Sequence, residues 1–367
     1  MKTGMDSLQK FAAEIERRAA AKEDLVASTA KCTLVPAAES GVDLEVGGDR
    51  RYAVNKIGHA QIADAVGIPK AYYDRMLAER PRMLVGDVNE WFRHNPQKRL
   101  WRTLDGQLRA VRSDSFRTDL EYEDLAGAVL PTLLKMDVAV MSYQLTDTRM
   151  YIKVVDKKVE RALQAQGGHF GDGGHNIVRC LSPAITISDS EVGYGSASVL
   201  AGVYDGFCSN LATFGERSVR KYHVGAKHAL AGGLDYALLS DDTKSKTSIA
   251  TIAQIRDVVT AAFDRAKFDS LCEKIEATAE DKIGKDADVV EVVRGAGRRL
   301  GLTDDEGKGV LRHLIEGGDL SRYGLYNAVT RQSQDVEDYD RATELERIGA
   351  QVIELPKSEW RELAMAA

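Results

Sequence analysis

RLWRTLDGQLRAVR, residues Arg99 to Arg112, sets two short runs around Asp105-Gly106. Asp-Gly between two such runs is a strong signal for a two-residue hairpin loop, because both central positions of a type I′ turn need positive φ. With that turn, Leu104 falls opposite Gln107 and Arg102 opposite Arg109. Outward from there, Trp101 faces Ala110, Leu100 faces Val111 and Arg99 faces Arg112. Like charges directly opposite one another weaken a sheet. An anion gripped between the arginines would offset that cost, since guanidinium matches the geometry of phosphate. Strand alternation sends the two arginine pairs to opposite faces, so a single groove uses both only with a bulge or a strong twist.

The surroundings of the hairpin define the fold class. Residues 5–21 have helical spacing of Leu8, Phe11, Ala12 and Ile15. Strands are expected over 31–36 and 51–55, with a turn near Gly47-Gly48 between them. Residues 59–80 read as helix, split by Pro69 at Gly67-Ile68. After the hairpin come a helix over 122–135, one or two strands over 137–155, a glycine- and histidine-rich loop over 167–175, and a β-rich stretch over 176–214. From 248 onward the chain is mostly helical, with Ile252, Ile255, Val259, Phe263 and Ala266 in register. Strands and helices do not alternate as a doubly wound sheet requires, so the class is α+β. The expected division is a mixed core over 1–246, carrying the hairpin, and a mostly helical region over 247–367.

Composition narrows the function. The chain has 367 residues, 44% hydrophobic and 29% charged, which is the make-up of a folded protein with a sizeable core. No apolar run reaches the ~20 residues that span a bilayer, and the start lacks the basic and apolar regions of a secretory signal. Cys32, Cys180, Cys208 and Cys272 show no paired spacing, as suits a reducing, cytoplasmic setting. The net charge of −6 conceals local contrasts. Residues 91–117 hold seven Lys/Arg against two Asp, and residues 335–347 hold six acids against two arginines.

The basic middle points to nucleic acid. Arg99, Arg102, Arg109, Arg112 and Arg117 are the candidate phosphate contacts, and Trp101 and Phe116, with Trp91 and Phe92 nearby, the candidate stacking faces. Single-strand binding uses this combination: charge follows the backbone while bases stack on rings. The alternative is that the arginines pair with acids elsewhere in the fold and that the aromatics are core. A second basic segment, with Arg217, Arg220, Lys221, Tyr222, His223, Lys227 and His228, either extends the same surface or is a solvated loop. His169, Asp172, His175 and Cys180 are metal-ligand types, but their spacing fits no standard zinc pattern, so no metal and no cofactor is assigned. Gly295, Gly297 and Gly301 lie in a helical stretch, which rules out a dinucleotide fingerprint. No GxxxxGK[ST] or GxSxG occurs, and Asp241-Asp242 and Asp304-Asp305 suit helix caps. The chain reads as a binding protein rather than an enzyme.

Three stretches carry a resemblance: RTLDGQLRAVRSDSFRTDLEYEDL (102–125), ITISDSEVGYGSASVLAGVYDGFCSNL (185–211) and YGLYNAVTRQSQDVEDYDRATELERIGAQVIEL (323–355). They resemble, in order and over most of the chain from about Pro69, the phage- and plasmid-borne family catalogued as domain of unknown function number nine hundred and thirty-two. The family brings no catalytic residue. Its setting on mobile elements implies a task in DNA maintenance, recombination or conflict with the host. A more distant likeness is to the single-strand annealing recombinases of phages, which assemble into rings or filaments and hold single-stranded DNA in a basic groove without nucleotide hydrolysis. The resemblance therefore implies a single-stranded DNA-binding, annealing homo-oligomer, with the acidic C-terminal helices free to recruit a host or phage protein. The rival readings are a protein-binding factor in host–phage conflict and a metal-dependent enzyme built on His169, Asp172 and His175.

Overall fold

The computed structural model describes residues 1–38, 41–114, 116, 120–163, 179–215, 220–221 and 240–365. The first helix, α1 (Leu8–Ala21), is capped by Ser7, whose hydroxyl accepts from the Lys10 amide. It runs directly into β1 (Lys22–Ser28), a strand that KEDLVAS does not announce. β2 (Cys32–Ala37), β3 (Gly41–Val46) and β4 (Arg50–Val54) form a meander. Its second turn places Gly47 and Gly48 at φ 69° and 85°, conformations that glycine adopts freely. The expected pair of strands is thus β2 and β4, with the unanticipated β3 between them.

Three helices follow: α2 (Lys56–Val66), α3 (Lys70–Glu79) and α4 (Pro81–His94). Gly67, at φ 72°, closes α2, and Pro69 separates α2 from α3 where the sequence calls for a break. The hairpin strands are β5 (Lys98–Leu104) and β6 (Gln107–Ser113). Together these strands make a six-stranded sheet in the order β1-β5-β6-β4-β3-β2, antiparallel except between β4 and β6. Its core gathers Leu34, Leu44, Trp101 and Leu108 from the strands with Ile62, Tyr73, Val88 and Phe92 from the helices.

α5 (Tyr122–Met136) leads into a second sheet, built from β7 (Ala139–Leu145), β8 (Met150–Val155), β9 (Arg161–Ala162), β10 (Cys180–Asp189), β11 (Ala197–Asp205), β12 (Asn210–Thr213) and β13 (Arg220–Lys221). Its main path is β12-β11-β10-β8-β7, with β9 beside β10 and β13 beside β11. α6 (Asp241–Ala261), α7 (Arg265–Ala277), α8 (Val289–Leu300), α9 (Asp304–Gly317), α10 (Arg322–Asp335), α11 (Tyr339–Glu354) and α12 (Lys357–Ala364) complete the chain. The class is α+β.

Period-two alternation gives the second sheet two different faces. Ile152, Val154, Ile185, Ile187 and Val199 pack with Phe11 of α1, Val129 of α5 and Val259 of α6. The other face presents Lys153, Thr186, Ser188 and Thr213, all buried. Lys153 meets Glu346 of α11 at 2.7 Å, both wholly buried, with the Tyr339 ring 4.6 Å from the ammonium. The expected boundary at 246–247 falls inside α6, and one core joins Leu181, Val203 and Phe214 of the sheet to Tyr326, Leu345 and Trp360 of the helices. Among the described residues no helix is long and apolar enough to cross a membrane.

Candidate nucleic-acid interface

The hairpin turns as expected, with Asp105 and Gly106 at φ 52° and 74°. Its register differs. Leu104 pairs with Gln107 and Thr103 with Leu108, but Arg102 then pairs with Ala110, Trp101 with Val111, Leu100 with Arg112 and Arg99 with Ser113. Arg109 is the extra residue of a bulge, so the expected oppositions of Arg102 to Arg109 and Arg99 to Arg112 are both corrected. The bulge lets Arg102 and Arg109 converge on one residue, Glu191, from the loop between β10 and β11.

That convergence is a buried ionic clasp. Arg102, with no exposed surface, donates Nε and Nη2 to the Asp24 carboxylate at 2.8 and 2.7 Å, and Nη1 and Nη2 to that of Glu121 at 3.1 and 2.9 Å. It also reaches the Glu191 carbonyl at 2.9 Å. Arg109 Nη1 donates to Glu191 Oε2 at 3.1 Å, and Lys22 Nζ bridges Glu121 and Glu191 at 2.7 and 3.2 Å. Three cations meet the carboxyl groups of Asp24, Glu121 and Glu191, so the chain itself supplies countercharge where a phosphate was expected. Burial and the neighbouring Glu191 push Glu121 up to about 8. Burial also pushes Glu191 upward, but the hydrogen bond with Glu121 and the charges of Lys22 and Arg109 hold it at about 2.

The expected stacking faces are interior too. Trp101 is 1% exposed and donates Nε1 to the Ala27 carbonyl at 3.2 Å. Phe116 is buried under the guanidiniums of Arg102 and Arg112, 5.8 and 5.1 Å from its centroid. Arg102, Arg109, Trp101 and Phe116 therefore hold the fold together and do not face a ligand in this arrangement. Arg99 and Arg112 are half-buried, and burial lowers both from the usual guanidinium range. Arg117 and Arg217, and the histidine loop with His169, Asp172 and His175, lie outside the described residues. Arg220 and Lys221 form β13.

A different basic and aromatic grouping emerges on the loop that carries Glu191. Ser190 Oγ donates to the Thr148 carbonyl at 2.7 Å and accepts from the Tyr194 amide at 2.9 Å. Gln61 accepts from the Val111 amide and donates to the Val192 carbonyl, each at 2.7 Å, tying the loop to the first sheet. Between these anchors Gly193 lies against the guanidinium of Arg112 and Gly195 against that of Arg149. A Cβ at either position would come within 2.3 Å of the arginine atoms. Arg149 also donates to the Tyr194 carbonyl. Tyr194, 43% exposed, thus sits between two glycines, each of which has an arginine guanidinium packed against it. The sequence holds the signal in GYG, where an aromatic sits between residues without side chains.

Arg149 and Tyr194 open onto a cavity of about 660 Å³ between the polar face of the second sheet and α11. Thr148, Thr186, Ser188, Ser196, Ser198 and Thr213 line it with hydroxyls, and Tyr151, Arg341 and Arg347 join them. Thr186 bonds Thr213 at 3.3 Å and Ser188 bonds Ser198 at 3.0 Å. Asp338, Asp340 and Glu344 balance the three arginines of the lining. Asp340 accepts from the Thr146 hydroxyl at 3.0 Å and from that of Thr148, while Arg341 pairs with Glu306 and Glu344, both at 2.6 Å. β13 pairs with β11 at Ala197 and Ser198, bringing the backbone of Arg220 and Lys221 to the edge of this cavity.

The acidic run over 335–347 is largely consumed inside the molecule. Besides Asp340 and Glu344, Asp335 holds Arg312 at 2.9 Å, and Glu346 is the buried partner of Lys153. Among the described residues no group of three or more His, Cys, Asp or Glu is placed to hold a metal ion. No family model, curated protein or solved structure matches the chain.

Proposed function

We propose that this protein binds single-stranded DNA and promotes annealing without hydrolysing nucleotide, with the loop 190–196 and the hydroxyl-lined cavity as its path for the strand. The observation that carries the reading is Tyr194, half-exposed and set between Arg112 and Arg149. A base stacks on such a ring while guanidiniums meet the phosphates on either side. The hydroxyls beyond it are donors of the kind that contact phosphate and sugar without reading sequence. The lining is balanced in charge, so the hydroxyls and the ring of Tyr194, rather than a net positive field, would hold the strand along this path. Annealing implies that several copies present their strand paths together, and a homo-oligomer belongs to the proposal. An annealing protein is also what the resemblance read in the sequence implies.

Fluorescence anisotropy of a labelled single strand, titrated over a range of salt, tests the reading. Binding should weaken with salt, and Arg149→Ala with Arg347→Ala should flatten the dependence of log K on log salt by about 0.7 for each phosphate that is no longer neutralised. Tyr194→Ala should weaken all sequences alike, with a loss of about 1–3 kcal/mol if one base stacks there. Absence of binding at low salt, or identical slopes in wild type and double variant, would refute the assignment.

A further inference from the structure

A separate cavity, of about 300 Å³, lies where the carboxyl-terminal ends of α2 and α4 come together. Asp64, Ala65, Val66 and Gly67 reach it from the end of α2, and Trp91 and Asn95 from the end of α4. Thr29, between β1 and β2, braces the second of these ends. Its hydroxyl donates to the Phe92 carbonyl at 3.1 Å and accepts from the Gln97 amide at 3.0 Å. The volume is at the lower end of the roughly 300–1,000 Å³ of small-molecule sites, so it suits one long side chain rather than a folded element.

The carboxyl end of a helix is electronegative, and two such ends flank this cavity. α2 has no basic residue in its last turn and carries Asp64 there, against the usual preference for a cation at that end. Asp64 is exposed, and among the described residues no hydrogen bond or ion pair takes up its carboxylate. Arg112 senses its charge without pairing with it. The last turn of α4 is basic, but Arg93 is held by Glu90 at 2.8 Å, and Arg99 donates to the Gln97 side chain. Trp91 adds an aromatic wall. Its side chain is 49% exposed, whereas Trp101 and Trp360 are 1% and 2% exposed. The His94 ring lies across it at 80°, with centroids 5.8 Å apart, and so covers at most one of its faces.

We propose that this cavity receives an arginine side chain of a protein partner, with the guanidinium against Trp91 and its N–H groups meeting Asp64. Indole attracts cations more strongly than the other aromatic rings, and a planar guanidinium stacks on it while its edge pairs with a carboxylate. A lysine ammonium answers the charge but not the planar wall. The site belongs to the helices of the first sheet and does not depend on strand binding at Tyr194.

Trp91 also reports on the site, because it is the exposed one of the three tryptophans. The test is a fluorescence titration of the full chain with the capped tripeptide acetyl-Gly-Arg-Gly-amide, and with the same peptide carrying lysine or neutral citrulline in place of arginine. The arginine peptide should change the emission saturably, the lysine peptide should bind more weakly, and the citrulline peptide should do nothing at the same concentrations. Asp64→Asn should weaken the arginine peptide about fivefold, in line with loss of a partly exposed ion pair. Trp91→Leu should abolish the signal. Asp64→Asn alters an exposed side chain and removes an unfavourable charge from a helix end, so the fold tolerates it. No saturable change with the arginine peptide, an equal response to citrulline or lysine, or an Asp64→Asn variant that binds like wild type would overturn the proposal.

Discussion

The hairpin and the loop 190–196 are made from the same materials, arginines beside aromatic rings, yet they use them in opposite ways. In the hairpin, Arg102 and Arg109 are turned inward onto Asp24, Glu121 and Glu191, with Trp101 and Phe116 covered. On the loop, Arg112 and Arg149 lie on glycine backbone and leave Tyr194 open to solvent. The difference lies in the neighbours. Where carboxylates from α5, β1 and the loop converge, guanidinium becomes an internal strut. Where the neighbour is glycine, the guanidinium rests against backbone instead of a carboxylate, and the tyrosine between the two glycines stays open to solvent. One residue, Glu191, belongs to both regions, so the strut also fixes the height of the loop that presents Tyr194.

The sharpest way to separate the two regions is to remove one arginine from each. Arg102→Ala leaves Asp24 and Glu121 facing each other without their shared cation, and should cost about 3–5 kcal/mol, as removal of one partner of a buried ion pair does. Arg149→Ala removes a half-exposed side chain and should change stability by about 0.5 kcal/mol or less while weakening single-strand binding. Urea unfolding midpoints of the two variants, beside their anisotropy titrations, check both halves. A stable Arg102→Ala protein with impaired binding would reverse the comparison and restore the hairpin as a contact surface.

A second perturbation asks how far the loop depends on glycine. Gly193 has φ 82° and Gly48 has φ 85°, but a Cβ at Gly193 meets the Arg112 guanidinium while one at Gly48 meets nothing within 4 Å. Both alanine variants carry the cost of a left-handed backbone, on the order of 1–3 kcal/mol. Gly193→Ala should be the more destabilising of the two, and it alone should disturb binding, because Arg112 has to leave the loop. Equal losses of stability with binding intact would show that the arginine does not rest there in solution.

Much of this architecture is written plainly in the sequence, and what is not has a physical cause. Asp105-Gly106, Pro69 and the apolar rhythm after Ile252 act locally, and the hairpin, the helix break and the C-terminal helices follow from them. The bulge at Arg109 has no local signature: one extra residue in a strand looks like any other, yet it changes the partner of every position beyond it. β1 is equally silent, since KEDLVAS becomes a strand by pairing with β5 over its whole length. The acidic stretch over 335–347 invites a solvated reading because composition cannot reveal that Glu346 points at Lys153, far away along the chain. The arginines and aromatics at 99–117 are legible as a group needing countercharge, but the acids that answer them lie at 24, 121 and 191. Long-range pairing decides the site, and only the GYG spacing marks it in advance.

The smallest expected effect is a pH dependence confined to the hairpin region. Glu121 has a folded value of about 8 against an ordinary 4.5, so between those limits the folded chain keeps a proton that the unfolded chain has released. Its contribution to stability is fully present below pH 4.5 and declines as pH rises through about 8. Glu191, at about 2, works in the opposite sense and in a lower window: its contribution is present above 4.5 and is lost as pH falls toward 2. Two further groups oppose Glu121. His59 is lowered to about 4 by burial and by Lys70, so it favours folding increasingly from pH 4 to 6.5. The Met1 amino group, lowered to about 5 mainly by burial, does so from 5 to 8. The total slope of the wild type is therefore shallow, and the informative quantity is the difference from Glu121→Gln. Whatever constant penalty the amide carries beside Lys22, the variant should gain on the wild type by about 1 kcal/mol as pH rises from roughly 6.5 to 8, since one pH unit of differential protonation corresponds to about 1.4 kcal/mol and the proton is shared with Glu191. Single-strand binding should stay level over the same range, because the arginines beside Tyr194 remain charged. A stability difference that does not change with pH would show that the carboxyl pair holds no proton, and that the three cations balance three full negative charges.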